Sequence, residues 1–170
     1  MDLETKIRVL RVVEGTSVDG PGLRTSIYFA GCRHHCPGCH NPQSWAMDGG
    51  DEMSLAALLA IVERNEAPVT LSGGDPLAHP AAMLALTRAI KQHMGYNIWC
   101  YTGYTWERIM ATDELRRVMD YVDVVVDGPF ILAERDEGLL FRGSRNQRLI
   151  DVAASLHASA PRLLDLDSSL

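Results

Sequence analysis

Basic side chains are in short supply in this 170-residue sequence: 16 Lys and Arg stand against 22 Asp and Glu, a formal charge of -6 at pH 7. Binding to nucleic-acid phosphates or an anionic membrane surface draws on an excess of cations, so the balance argues against both partners and leaves room only for a local basic patch. Long apolar runs are missing too. Residues 1–13 carry Asp2, Glu4, Lys6, Arg8 and Arg11, which interrupt any stretch that could act as a signal peptide or cross a bilayer. The expectation is a cytoplasmic protein. No internal repeat or low-complexity block stands out. The remainder, 46% hydrophobic and 22% charged, is the composition of an ordinary globular domain, and a chain of this length buries roughly 70% of its unfolded surface without disulfide or metal staples.

Cysteine is also scarce, and unevenly placed. Cys32, Cys36 and Cys39 fall within eight residues, while Cys100 stands alone in the apolar stretch Ile98-Trp99-Cys100-Tyr101 and reads as a buried core thiol. Two disulfides would require an oxidising compartment, which a chain without an export signal does not reach. Structural zinc stays open, with His34, His35 or His40 completing a Cys3His tetrahedron. Zinc modules, however, usually pair two ligand hairpins about a dozen residues apart, and here all three thiols share one loop. Between the ligands, His34 and His35 read as loop surface. A cubane iron-sulfur cluster takes four ligands, normally thiolates. Three would leave one iron without a protein ligand, and a vacant position is what a catalytic metal keeps.

The rest of the chain alternates strand and helix patterns. Strands are expected at Arg24–Ala30, Pro68–Leu71, Asn97–Tyr101 and Tyr121–Val126, with further candidates at Ile7–Val13 and Leu149–Val152. Helical stripes run over Met53–Glu63 and from Pro80 to a stop at Gly95, and Thr105–Met119 reads as two pieces with a new cap at Thr112. Such alternation implies an α/β fold with a parallel sheet, in which every loop after a strand emerges at one edge, where active sites lie. A full eight-stranded barrel takes about 250 residues. The expectation is therefore a partial, open-sided (β/α) barrel of about five or six parallel strands, formed by residues 1–155, with 156–170, including Asp165 and Asp167, as a loose tail.

Cys32-Arg33-His34-His35-Cys36-Pro37-Gly38-Cys39 resembles the Cys-x-x-x-Cys-x-x-Cys signature of radical S-adenosylmethionine enzymes, and His40-Asn41-Pro42-Gln43-Ser44-Trp45 resembles the group that activates glycyl radical enzymes. Five more segments lie in order along the chain: Asp19-Gly20-Pro21-Gly22, Ser72–Leu77, Trp99–Tyr104, Val126-Asp127-Gly128 and Arg142–Gln147. With these, the sequence is most similar to the branch of that group acting on anaerobic ribonucleoside-triphosphate reductase, over about residues 10–152.

The resemblance implies that Cys32, Cys36 and Cys39 hold three irons of a 4Fe-4S cluster and that S-adenosyl-L-methionine chelates the fourth. One electron then releases methionine and a 5'-deoxyadenosyl radical, which takes a hydrogen atom from one glycine of the reductase. Ser72, Gly73, Gly74 and Asp75 match the family's loop for the methionine half, Asp75 being a candidate acceptor for its ammonium group. Many family members carry an aromatic residue before the third cysteine. Here that position is Gly38, which leaves adenine contacts to Gly38, Cys39 and His40, or to Trp45. Asp127 is a candidate for orienting cofactor or substrate, or else a turn cap. Arg142, Arg145 and Arg148 are a candidate docking face for the reductase or an acidic electron donor, for which the family suggests flavodoxin. Three alternatives stay open: an activase of another glycyl radical enzyme of the formate lyase type, a small-molecule radical synthase, and a non-catalytic zinc-binding module. The ligand assignment predicts that Cys36→Ala abolishes cluster-dependent cleavage of S-adenosylmethionine, measured as 5'-deoxyadenosine formed, whereas Cys100→Ser costs stability at most. Equal loss of activity in both variants would contradict it.

Overall fold

The computed structural model describes residues 2–166; Asp167 of the expected tail lies outside the described residues. Its strands are β1 (Lys6–Thr16), β2 (Arg24–Phe29), β3 (Asp51–Ser54), β4 (Val69–Gly73), β5 (Ile98–Tyr101), β6 (Val124–Asp127), β7 (Arg148–Asp151) and β8 (Arg162–Leu163). Its helices are α1 (Leu55–Asn65), α2 (Pro80–His93), α3 (Trp106–Met110), α4 (Asp113–Met119) and the single turn α5 (Val152–Ser155). All eight strands join one mixed sheet in the order β3-β1-β2-β4-β5-β6-β7-β8.

Only β2, β4, β5 and β6 run parallel, so the parallel set has four strands rather than five or six. A parallel neighbour requires a crossover, usually a helix, that carries the chain back to the starting edge. Helices α1, α2 and the α3–α4 pair do this in turn. In contrast, β1 turns directly into β2 through residues 17–23, and β6 leads to β7 through residues 128–147, whose only helical piece is the 3-10 turn Leu132–Glu134. Both connections therefore enter antiparallel.

The helix expected from Met53 begins two residues later. Ser54 is extended and its hydroxyl accepts from the Ala57 N–H at 3.2 Å, while residues 51–54 pair with β1 from Val9↔Asp51 to Lys6↔Ser54. Ladder hydrogen bonds to a neighbouring strand here override a helical apolar stripe that sequence alone extends to Met53. The expected break between α3 and α4 is present at Thr112, although its hydroxyl bonds back to the Arg108 carbonyl at 2.9 Å instead of capping α4.

Period-two alternation divides the sheet's faces. Ile98, Cys100, Val125 and Ile150 point into the larger core with the apolar stripes of all five helices, while Trp99, Val124, Val126 and Leu149 form a smaller cluster on the helix-free face. Cys100 is fully buried in the larger core, which pushes its thiol well above the usual range. The segment after residue 155 is held rather than loose as far as residue 166. Arg162 and Leu163 pair with Asp151 and Ile150, and Leu164 and Leu166 pack on the Trp99 cluster.

Toward β2 and β4 the helix-free face turns polar. Arg24, 2% exposed, donates to the Thr70 hydroxyl at 2.8 Å, the Val69 carbonyl at 2.9 Å and the Asn97 side chain at 3.0 Å, and lies over the Trp99 ring at 5.4 Å. Burial lowers its pKa to about 10, which leaves it charged at neutral pH. Thr70 in turn donates to the Asp19 carbonyl at 2.9 Å and Tyr28 donates to the Asp19 carboxylate, fastening the 17–23 turn to the sheet. Gly20 is required there: its φ is +143°, and a Cβ would stand 2.8 Å from Arg24 Cδ.

Two predictions follow from this polar face. Replacing Arg24 by Met strands buried acceptors and should cost about 3 kcal/mol of unfolding free energy; a urea midpoint equivalent to less than about 1 kcal/mol would refute the role. The Tyr28 phenol is raised to about 12, first by burial and then by its hydrogen bond to Asp19, whereas an unfolded tyrosine ionises near 10. Its contribution is complete below about pH 10 and is lost as pH rises toward about 12. Tyr28→Phe should therefore flatten the decline of stability across that alkaline window in denaturation curves taken at stepped pH.

Candidate active site

Because β2, β4, β5 and β6 are parallel, the loops after them share one edge: the cysteine loop from Ala30, then Gly74–Pro76, Thr102–Thr105 and Gly128–Phe130. They surround a cleft of about 760 Å³. Cys32, Cys36 and Cys39 all line it, all three as free thiols, together with Ser72, Gly73 and Gly74.

The cysteine loop has no regular secondary structure before the 3-10 turn Pro42–Ser44, and its ends are pinned by backbone. Gly31 N donates to Ser44 O at 2.8 Å and Cys32 N to Trp45 O at 3.2 Å. Inside it, Cys39 N closes onto Cys36 O at 3.1 Å through Gly38 at φ +76°, a conformation glycine adopts without strain. Backbone amides face two of the sulfurs. The backbone at His34 and His35 opposes the burial that raises the Cys32 thiol, and Asn41 N donates to Cys39 Sγ at 3.4 Å. Soft thiol donors facing a common space, with amides aimed at sulfur, suit a cluster whose thiolates each take a different iron. Among the described residues no three His, Cys, Asp or Glu side chains converge as ligands of a single ion would.

The glycine pair after β4 has a reason within the fold. A Cβ on Gly73 would lie 2.3 Å from Phe29 N and one on Gly74 2.4 Å from Gly31 O. The strand end is thus zipped to the start of the cysteine loop, with Gly74 N bonded to Phe29 O and Asp75 N to Gly31 O, both at 2.8 Å.

Asp75 is placed differently from the role expected for it. It is 1% exposed and does not line the cleft. Its Oδ1 accepts from Leu77 N at 2.9 Å; its Oδ2 accepts from Thr102 Oγ1 at 2.9 Å and Gly103 N at 3.1 Å, and lies 2.6 Å from His34 Nε2. A carboxylate this buried, with both oxygens already bonded within the fold, is turned away from the cleft where an ammonium group would lie. His34 correspondingly turns inward and is not loop surface, whereas His35 is exposed and its ring lies 4.8 Å from that of Trp45.

His40 lines the cleft, its ring edge-on to Phe130 at 5.2 Å, whereas Gly38 sits against Leu132 and does not line it. Asp127, 1% exposed, accepts from Trp106 N at 2.7 Å at the start of α3, pairs with Arg148 at 2.5 Å and does not line the cleft. The three arginines do not form one free face. Arg148 is spent on Asp127 and then Glu107, which raise its pKa; Arg142 donates to Gln147 O at 2.9 Å; Arg145 lies 3.8 Å from Asp136.

Tyr28, Tyr101, Thr102, Gly143 and Gln147 also line the cleft. Gln147 closes the 128–147 loop over it, accepting from Gly143 N at 2.8 Å and donating to Gly128 O at 3.1 Å. The available signal was position: Tyr28 and Tyr101 occupy the ends of parallel strands on the helix-free face, and burial raises both phenols.

Residues 18–150 match the 4Fe-4S single cluster domain family, a span containing the cysteine loop and every loop around the cleft. The anaerobic ribonucleoside-triphosphate reductase-activating protein of Vibrio cholerae is 38% identical over 140 residues, 76% of this chain and 88% of that protein. Its counterpart from Escherichia coli (strain K12) is 36% identical over 140 residues, 76% of this chain and 89% of its own length. Among solved structures, QueE from Escherichia coli overlaps 59% of this chain and 54% of its own at 20% identity and a TM-score of 0.49. With a cluster-domain match across most of its length and relatives this similar over most of theirs, the chain belongs to the anaerobic ribonucleoside-triphosphate reductase-activating protein family.

Proposed function

We propose that this protein is a radical S-adenosylmethionine enzyme that generates the glycyl radical of anaerobic ribonucleoside-triphosphate reductase. The observation that carries the reading is a cleft at the parallel-strand edge with three free thiols on its wall, the fourth cysteine being sealed in the opposite core. Cys32, Cys36 and Cys39 would each hold one iron of a 4Fe-4S cluster. When bound, cluster and S-adenosylmethionine supply a one-electron cleavage of the carbon-sulfur bond, giving methionine and a 5'-deoxyadenosyl radical able to take a hydrogen atom from a glycine Cα.

The chain's own contribution is to bind, orient and exclude water. Ser72 and the backbone of Gly73 and Gly74 offer hydrogen-bonding groups to the methionine half, and the backbone at Cys39 and His40, with the His40 ring, offers contacts to adenine. In this reading the four parallel strands are the wall of an open-sided partial barrel within a single domain, the open face admitting a loop of the reductase. The location in this reading is cytoplasmic; among the described residues no helix is long and apolar enough to cross a membrane. A flavodoxin-like acidic donor fits the exposed cations Arg33, in the cysteine loop, and Arg108, on α3.

The test is anaerobic reconstitution with iron and sulfide, reduction, and incubation with S-adenosylmethionine and the cognate reductase. The expected result is about four irons per chain, 5'-deoxyadenosine, and a doublet glycyl signal by electron paramagnetic resonance on the reductase. Cleavage without that signal would move the target to another glycyl radical enzyme or a small molecule, and a colourless protein holding one zinc would end the proposal.

A further inference from the structure

Of the side chains between the cysteines, Arg33, His35, Pro37 and Gly38 are exposed, and His34 alone reaches into the protein, its side chain 18% exposed. It meets a carboxylate that already binds two other loops. Asp75 belongs to the loop after β4, and Thr102 and Gly103, whose hydroxyl and amide share its Oδ2 with His34, belong to the loop after β5. The imidazole is fixed from two further directions. Its ring stands edge-on to Tyr104 with centroids 4.6 Å apart, and it packs so closely on Gly103 that a Cβ there would lie 2.4 Å from His34 Cδ2. With a carboxylate as acceptor, Nε2 carries the proton and donates.

The cysteine loop needs such an anchor. Between Cys32 and Cys39 it has no regular secondary structure, and His35 at φ +47° and Gly38 at φ +76° lie in the left-handed region. Backbone bonds hold its two ends, but between Cys32 and Cys36 the His34 side chain is the inward attachment among the described residues. Removing that side chain leaves Asp75 with three donors, one on Oδ1 and two on Oδ2, so neither carboxylate oxygen is left unpaired. The loss falls on the loop.

Resting on the cluster reading above, we propose that His34 is a positioning residue: through Asp75 it holds the Cys32–Cys36 segment in the conformation that receives and retains the iron-sulfur cluster. It stands in the wall of the same cleft as the thiols, and acts by fixing where those thiols stand relative to the β4 and β5 loops. Groups that orient metal ligands from behind typically change metal retention by about 10–100-fold when removed.

The experiment compares wild type with His34→Ala, His34→Gln and Gly103→Ala. Gln keeps a donor at similar reach, and the new Cβ of Gly103→Ala occupies the imidazole's place. Each protein is reconstituted anaerobically, and three quantities are read: the rate of iron loss to a ferrous chelator, the width of the reduced cluster's paramagnetic signal, and the thermal midpoint of the apo chain. The expected result is iron loss at least about tenfold faster and a broadened signal in His34→Ala and Gly103→Ala, with near wild-type retention in His34→Gln and an apo midpoint in His34→Ala close to wild type. Wild-type retention in His34→Ala, or no recovery in His34→Gln, overturns the proposal. So does a large fall in the apo midpoint of His34→Ala matching its iron loss, which would make the role one of general stability. Failure of the wild-type chain itself to take up iron and sulfide would count against the cluster reading and is distinguishable from all of these.

Discussion

Strands that run the same way end at the same level, and the cleft depends on that constraint. β2, β4, β5 and β6 deliver the cysteine loop, the glycine pair, Thr102–Gly103 and Gly128 to one edge, so segments separated by nearly a hundred residues in sequence meet without specialised contacts to gather them. Their relative height is then set by hydrogen bonds. The backbone of Gly74 and Asp75 locks onto Phe29 and Gly31, and the Asp75 carboxylate collects donors from three of the four loops. A buried carboxylate is costly unless fully met, which is why so many donors converge on it and why its geometry leaves little freedom.

The two faces of the sheet divide the work. One is covered by helices and contributes most of the apolar burial, including Cys100. The other is apolar only around Trp99 and becomes polar toward β2, with Arg24, Thr70 and Tyr28 supporting the 17–23 turn. An α/β sheet covered on both faces would confine its ligands to a crevice at the strand tips. Here the cleft also extends onto the uncovered face, where Tyr28 and Tyr101 line it. That opening suits a polypeptide segment as substrate.

The sequence made the α/β character, the helical stripes and the shared position of the cysteine loop and later motifs legible, because apolar periodicity and strand-terminating glycines are local signals. It could not show that β1 and β7 enter antiparallel, since direction depends on whether a connection returns to the far edge. Strand β3 was hidden because Met53 fits the helical stripe of α1, and only pairing with β1 assigns it to the sheet. The pairing of Asp75 with His34 is not legible for a related reason: forty-one positions separate them, and nothing local marks either as the other's partner. The arginines at 142, 145 and 148 looked like one basic cluster from spacing alone, but Asp127, Glu107 and Asp136 engage two of them and Gln147 the third.

The outer strands of the sheet carry a further consequence. One border is the four-residue β3, with acidic Asp51 and Glu52, and the other is the two-residue β8, beginning with Arg162. Short, charged borders give another chain little to pair with. Self-association by strand addition is thereby discouraged at both borders, while the cleft lies at the strand ends, away from either.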